Sequence, residues 1–157
     1  MHFEHLVAIN DPGVVFLTTL NRAQVWSGLM RRVEDARPFL SSLEACEIVA
    51  RGEGWVERRL DFGAVQLEDR ASFAANHWVC FETAPSETHG GGRLTIAIEE
   101  PEPARLFLRF TYETAHAVGT EKEDAAYESF LRQAYEAADI DTVQVIRLLA
   151  AAPETPN

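Results

Sequence analysis

The sequence predicts an α+β fold in which a seven-stranded antiparallel sheet packs against one long C-terminal helix. Three observations carry this. From residue 44 onward, apolar and polar side chains alternate in short runs separated by turn residues. Consecutive runs match in charge as well as hydropathy, as neighbouring antiparallel strands do. Between about 121 and 151 the apolar period changes to that of a helix and holds to the end of the segment.

Taken in order, residues 2–9 read as the first strand. Asn21 followed three residues later by Gln24 resembles a capping box, opening a helix with Val25, Trp26, Leu29, Met30 and Val33 at helical spacing; Pro38 ends that segment. Residues 44–51 turn at Gly52-Glu53-Gly54 into a hairpin of 55–62 and 65–74. Its centre, Gly63-Ala64, has the Gly-first form of a two-residue turn. Folding there sets Phe62 opposite Val65, Leu60 opposite Leu67 and Val56 opposite Ala71, and brings Arg59 to Glu68 and Glu57 to Arg70. The next strand, 78–84, has two available registers. A three-residue loop, 75–77, pairs Phe73 with Val79, Ala71 with Phe81, Asp69 with Thr83 and Arg70 with Glu82. A two-residue loop sets Glu82 against Asp69, and like charges disfavour it. The last hairpin turns around Pro101-Glu102-Pro103, pairing Leu94, Ile96 and Ile98 with Phe110, Leu108 and Leu106, and Glu99 with Arg105. On the helix, Tyr127, Phe130, Leu131, Ala134, Ala138, Val145, Leu148 and Leu149 form one stripe, interrupted by Asp141 and Thr142. Residues 1–152 are read as a single domain and 153–157 as a disordered tail.

Composition excludes several functions. A net charge of −11 over 157 residues disfavours nucleic acid and anionic membranes as partners. No apolar run reaches the roughly 18 residues of a membrane span. The first ten residues lack a basic region followed by an apolar stretch, so a cytoplasmic location is expected. Cys46 and Cys80 have no CxxC partner and are read as inert buried thiols. His2 and His5 face opposite sides of a strand and cannot chelate one metal; His77, His89 and His116 lie in or beside turns. There is no Gly-x-Ser-x-Gly, HExxH or phosphate loop, and no metal or other cofactor is expected.

One cross-strand pair breaks the hairpin's pattern. Arg58 and Asp69 share the face that carries Leu, Phe and Val. A buried ion pair is weak evidence of stabilisation, because desolvating both ions costs several kcal/mol. One reading is a structural pair at a wet cavity rim, hydrogen-bonded by Thr83. The other is functional, with Arg58 a planar donor to a ligand's carboxylate, phenolate or enolate. Asp141 and Thr142 are read either as the wet end of the helix face or as facing that pair. Phe110 and Tyr112 continue the inward parity of their strand.

The phrases "HFEHLVAIN", "RAQVWSGL", "DFGAVQLEDRASF", "LTIAIEEPEPARLFLRFTY" and "AYEAADIDTVQVIRLLA" span nearly the whole chain. Their order resembles the helix-grip fold of the START/Bet v 1-like (SRPBCC) superfamily. They look most like a bacterial branch akin to a fungal protein of the acetylaranotin biosynthetic cluster. Allergen-type members carry a Gly-rich loop between their second and third strands, where this chain has only "RGEGW". The resemblance implies a curved sheet gripping the long helix around an internal cavity, with Ala134 and Ala138 facing the concave side. It implies a small hydrophobic or amphipathic ligand (a lipid, polyketide or aromatic metabolite); the inward parity of the strands and the helix stripe mark Arg58, Asp69, Thr83, Phe110, Tyr112 and Asp141 as its binding residues. An alternative is a polyketide cyclase/dehydratase in which Arg58 stabilises an enolate and Asp69 or Asp141 moves protons. A third is a regulatory interaction module. Trp55, Trp78 and Cys80 lie on the outer parity of the sheet, read either as a homodimer face or as a place where a local twist or bulge tucks one Trp away.

Overall fold

The structure, a computed structural model, describes residues 1–11, 13, 17–86, 90–114 and 121–152, with residues 121–124 through their backbone alone. His89, His116 and the tail 153–157 lie outside the described residues. The elements run β1 (His2–Ala8), α1 (Arg22–Glu34), β2 (Ala45–Gly52), β3 (Trp55–Asp61), β4 (Gln66–Ala74), β5 (Trp78–Thr83), β6 (Gly92–Glu102), β7 (Arg105–Thr114) and α2 (Glu121–Ala151). All seven strands form one antiparallel sheet in the order β1-β7-β6-β5-β4-β3-β2. It is a meander closed by the return of β1 beside β7, and with α2 it makes the helix-grip architecture.

Local chemistry explains the elements. The Asn21 side chain accepts from the Gln24 amide at 2.8 Å, and Gln24 Oε1 accepts from the Asn21 amide at 2.9 Å, so the capping box forms. Gly63 takes φ +87°, as a Gly-first turn requires, and the Phe62 amide donates to the Val65 carbonyl. The β3–β4 register is the predicted one: Val56↔Ala71, Glu57↔Arg70, Arg58↔Asp69, Arg59↔Glu68 and Leu60↔Leu67. The β4–β5 register also follows the three-residue loop, with Asp69↔Thr83, Ala71↔Phe81 and Phe73↔Val79.

The β6–β7 hairpin differs from the prediction by two residues. Leu94, Ile96 and Ile98 lie opposite Tyr112, Phe110 and Leu108. The strand runs on to Glu102 and turns at Pro103-Ala104, with Ala104 at φ +66° and a bulge between Glu99 and Glu102. That turn is held from outside the hairpin. Buried Asn10 donates to the Ala104 carbonyl at 2.6 Å and exchanges two hydrogen bonds with the Leu20 backbone. Glu99 pairs with Arg109, not with Arg105.

The core lies on the sheet's inner face. Val56, Ala71, Val79, Ile96, Leu108 and Phe110 meet Val25, Leu29 and Val33 of α1 and Val143 and Ile146 of α2. Gly28 lets the two helices approach closely: a Cβ there would stand 2.8 Å from both γ-carbons of Ile146. The inward face of α2 is rotated from the predicted stripe. Asp139, Thr142, Val143 and Ile146 are buried, while Ala134, Ala138 and Asp141 are exposed and Leu148 is 71% exposed. The alanines therefore do not pack on the concave side. The stripe was weighted by apolar residues, whereas the sheet offers polar partners that draw an aspartate inward.

Candidate functional site

A cavity of about 460 Å3 lies between the inner sheet face, the end of α1 and α2. Arg58, Asp69, Phe81, Thr83 and Tyr112 line it from the sheet, Arg32 and Ala36 from α1 and its exit, and Leu131 and Tyr135 from α2. Of the six residues the sequence marks, Arg58, Asp69, Thr83 and Tyr112 are brought together here. Phe110 is fully buried in the core and is not part of the lining, and Asp141 points to solvent. The sequence expectation for Asp141 is corrected by its neighbour two residues earlier, Asp139.

The Arg58–Asp69 pair is dry, each side chain 3% exposed. Arg58 Nε donates to Asp69 Oδ1 at 2.8 Å and Nη2 to Oδ2 at 2.6 Å, a bidentate fork. Arg58 Nη1 donates to the carbonyls of Arg32 at 2.8 Å and Val33 at 3.2 Å. These belong to the last turn of α1, whose carbonyls have no partner within the helix. The ion pair is thus a side-chain cap for α1, and four of the guanidinium's five N–H groups are used in making it.

Arg32 presents the opposite case. Only Nη1 is engaged, donating to Thr142 Oγ1 at 2.9 Å, and Thr142 in turn donates to the Ala138 carbonyl. Its guanidinium carbon lies 5.3 Å from the Phe81 ring centroid and 5.8 Å from that of Phe39. Among the described residues no carboxylate stands within ion-pair distance of it. Burial lowers its pKa from the ordinary arginine value, as expected of a cation stripped of water without full repayment by partners.

A second polar chain runs from the edge of the sheet. The Tyr112 hydroxyl donates to one oxygen of Asp139, and His5 Nδ1 lies 3.0 Å from the other. His5 is partly open to solvent, while Asp139 and Tyr112 are buried. Burial, reinforced by the Asp139 charge, pushes the Tyr112 hydroxyl far above the usual phenol range. Burial also raises the Asp139 carboxyl, against the hydrogen bonds from Tyr112 and His5 that pull it down. Tyr135 stacks on Tyr112, ring centroids 3.9 Å apart and planes 7° from parallel. This arrangement can hold a proton at a cavity-lining hydroxyl and connect it to solvent through His5. Among the described residues no group of three or more His, Cys, Asp or Glu side chains is placed to hold a metal.

Sequence reasoning missed Arg32, Asp139, His5 and Tyr135. One signal was available for Arg32. It follows Gly28 and precedes Ala36 at four-residue steps, beside buried Val25, Leu29 and Val33, so a cation sits on a buried helix face. Asp139 and His5 carried none, because each is explained only by the other and by Tyr112. The outer tryptophans are less exposed than their parity implies. Arg70 covers Trp55, its guanidinium carbon 4.3 Å from the ring, Cys80 is buried, and Trp78 is 37% exposed.

The chain is similar in fold to several solved structures. The Zhui aromatase/cyclase from Streptomyces sp. R1128 superposes with a TM-score of 0.64 at 17% identity, over 96% of this chain and 93% of that one. The di-domain ARO/CYC BexL from the BE-7585A biosynthetic pathway gives 0.69 at 13% identity, covering 98% of this chain and 51% of the other. Ara h 8.0201 gives 0.60 at 9% identity, over 96% and 97%. No curated protein sequence matches the chain. Among the described residues, no helix is long and apolar enough to cross a membrane. The acetylaranotin biosynthesis cluster protein L family matches by its sequence profile over residues 4–152, and the chain belongs to that family.

Proposed function

We propose that the protein binds a small amphipathic or hydrophobic molecule, such as a lipid, a polyketide or an aromatic metabolite, in the cavity between sheet and α2. The observation that carries this reading is the cavity itself. A half-open space of about 460 Å3 beneath the sheet, lined by leucines and aromatic rings with a few polar groups, has the size and chemistry of a ligand pocket. The fold likeness to an aromatase/cyclase supports a ligand of polyketide kind. Native mass spectrometry of protein purified from its own host tests it. A small molecule released on denaturation is expected, and a cavity that stays empty and takes up no hydrophobic probe would remove the reading.

A second reading, a cyclase/dehydratase, is favoured by the Tyr112–Asp139–His5 chain. Arg58 and Asp69 are committed to capping α1 and Asp141 faces solvent, so the polar group left for the reacting carbonyl is Tyr112. Its hydroxyl, turned from Asp139 onto a ligand carbonyl oxygen, can polarise that carbonyl by a hydrogen bond while keeping its own proton. Turnover of a model poly-β-ketone, lost in Tyr112→Phe, is the expected result; unchanged turnover in that variant rules the assignment out. Self-association through the outer face at Trp78 is a separate proposal, resting on that side chain's exposure.

A further inference from the structure

Three arginines, Arg32, Arg58 and Arg93, line the cavity against one carboxylate, Asp69. This is a cationic interior in a chain of net charge −11. Two of the three are already neutralised. Arg58 is forked to Asp69, and Arg93 reaches Glu82 and Glu113, each at 3.6 Å, at the exposed margin. Arg32 is different. It spends one N–H on a neutral hydroxyl, has no carboxylate partner among the described residues, and none of its nitrogens is both buried and unbonded. Its remaining donors therefore open onto the cavity. A half-buried guanidinium with no carboxylate in contact, and only the more distant charges of Asp139 and Asp69 to offset it, is costly, and a bound anion relieves that cost with a charge-assisted, planar pair of hydrogen bonds.

The surroundings specify the rest of the ligand. Phe39 and Phe81 flank the guanidinium, and the stacked rings of Tyr112 and Tyr135 line the same space. Leu40, Leu60, Leu67 and Leu94 supply its apolar wall. Resting on the ligand-binding reading above, we infer that Arg32 is the anion-binding residue of the cavity and that the ligand is an amphipathic carboxylate or phenolate with a flat apolar body. Thr142 orients Arg32 from α2. Arg58 fixes the carbonyl of Arg32 itself, so it acts as a positioning residue for the cation beside it.

Isothermal titration of the whole protein with 2-naphthoate and with neutral 2-naphthylmethanol tests this. The wild type is expected to bind the acid more tightly than the alcohol. Arg32→Gln, which can keep a hydrogen bond to Thr142, is expected to lose tenfold or more in naphthoate affinity and to stay within twofold for the alcohol. Should that variant fail to fold, Arg32→Lys is the second arm: it retains the charge without the planar fork and is expected to bind naphthoate several-fold more weakly than wild type. Decanoate in place of naphthoate separates a fatty acid from a ring acid: naphthoate bound more tightly than decanoate supports the flat apolar body, and the reverse order overturns it. Naphthoate bound equally by wild type and the folded variants would overturn it. Wild type that binds the alcohol but not the acid overturns the inference and leaves the ligand-binding reading standing; wild type that binds neither overturns both.

Discussion

Arg32 and Arg58 lie against the same phenylalanine, their guanidinium carbons 5.3 and 4.9 Å from the Phe81 centroid. They share a ring and a cavity and do opposite things. Arg58 is saturated: a carboxylate fork on one side, two helix carbonyls on the other. Arg32 is nearly empty-handed. Inward-facing charge therefore does not identify a functional group; the number of donors left over does. The residue most conspicuous in the sequence spends its donors on an ion pair and a helix end, and the one it steadies is the candidate for recognition.

The contrast can be broken most forcefully at Asp69. Asp69→Ala leaves Arg58 as an uncompensated buried cation and is expected to cost about 3–5 kcal/mol, read by chemical denaturation. A loss below about 1 kcal/mol would mean the pair behaves as a solvated one.

Replacing both partners, Arg58→Met with Asp69→Leu, sharpens the comparison. On the pair alone such a double change is often neutral or stabilising. Here it also strips the Arg32 and Val33 carbonyls of their donors, and unsatisfied buried carbonyls cost roughly 1–3 kcal/mol. We expect a folded protein with a lowered Tm, and a Tm at or above wild type would show that those carbonyls find other partners.

A smaller effect is expected at Asp139→Asn. Burial raises the Asp139 carboxyl above its ordinary value of 3.8, so the native state holds that proton more tightly than the unfolded chain. Its contribution to stability is complete below pH 3.8 and is lost as pH rises through the folded-state value. The stability of wild type relative to the variant should therefore fall with rising pH above that point, followed by thermal melts at stepped pH. The opposite slope would mean that Tyr112 and His5 stabilise the carboxylate more than burial disfavours it.

The smallest effect is expected at Trp78→Glu, which should change stability by no more than about 0.5 kcal/mol, as surface substitutions do. If the outer face is an interface, sedimentation shifts from dimer toward monomer. A wild type monomeric at high concentration removes that proposal.

How much was legible follows from how many independent signals each segment carried. In the β3–β4 hairpin the apolar phase, the charge phase and Gly63 all specify one register, and that register forms. The β6–β7 turn carries no such agreement: Ala104 takes a positive φ that its type does not advertise, and its anchor, Asn10, is remote in sequence. On α2, Asp139 falls outside the apolar stripe, and its partners on β1 and β7 cannot be seen from the helix alone. The cavity's cationic character was hidden for a similar reason. Arg32 reads as an ordinary charge near a helix C-terminus until the sheet closes over it.

The close approach at Gly28 has a bearing on all of this. The two helices run in opposite senses, so one turn beyond Gly28–Ile146 the next rung is Arg32–Thr142. The missing side chain acts as a feeler gauge, setting the clearance at which an arginine from one helix reaches a hydroxyl on the other. A methyl wedge from Gly28→Ala would press on Ile146, a stiff, buried, β-branched neighbour with little room to yield. The helices would splay around that point, and the guanidinium would swing away from the hydroxyl that aims it. A position that touches no ligand would then tune how firmly one is held.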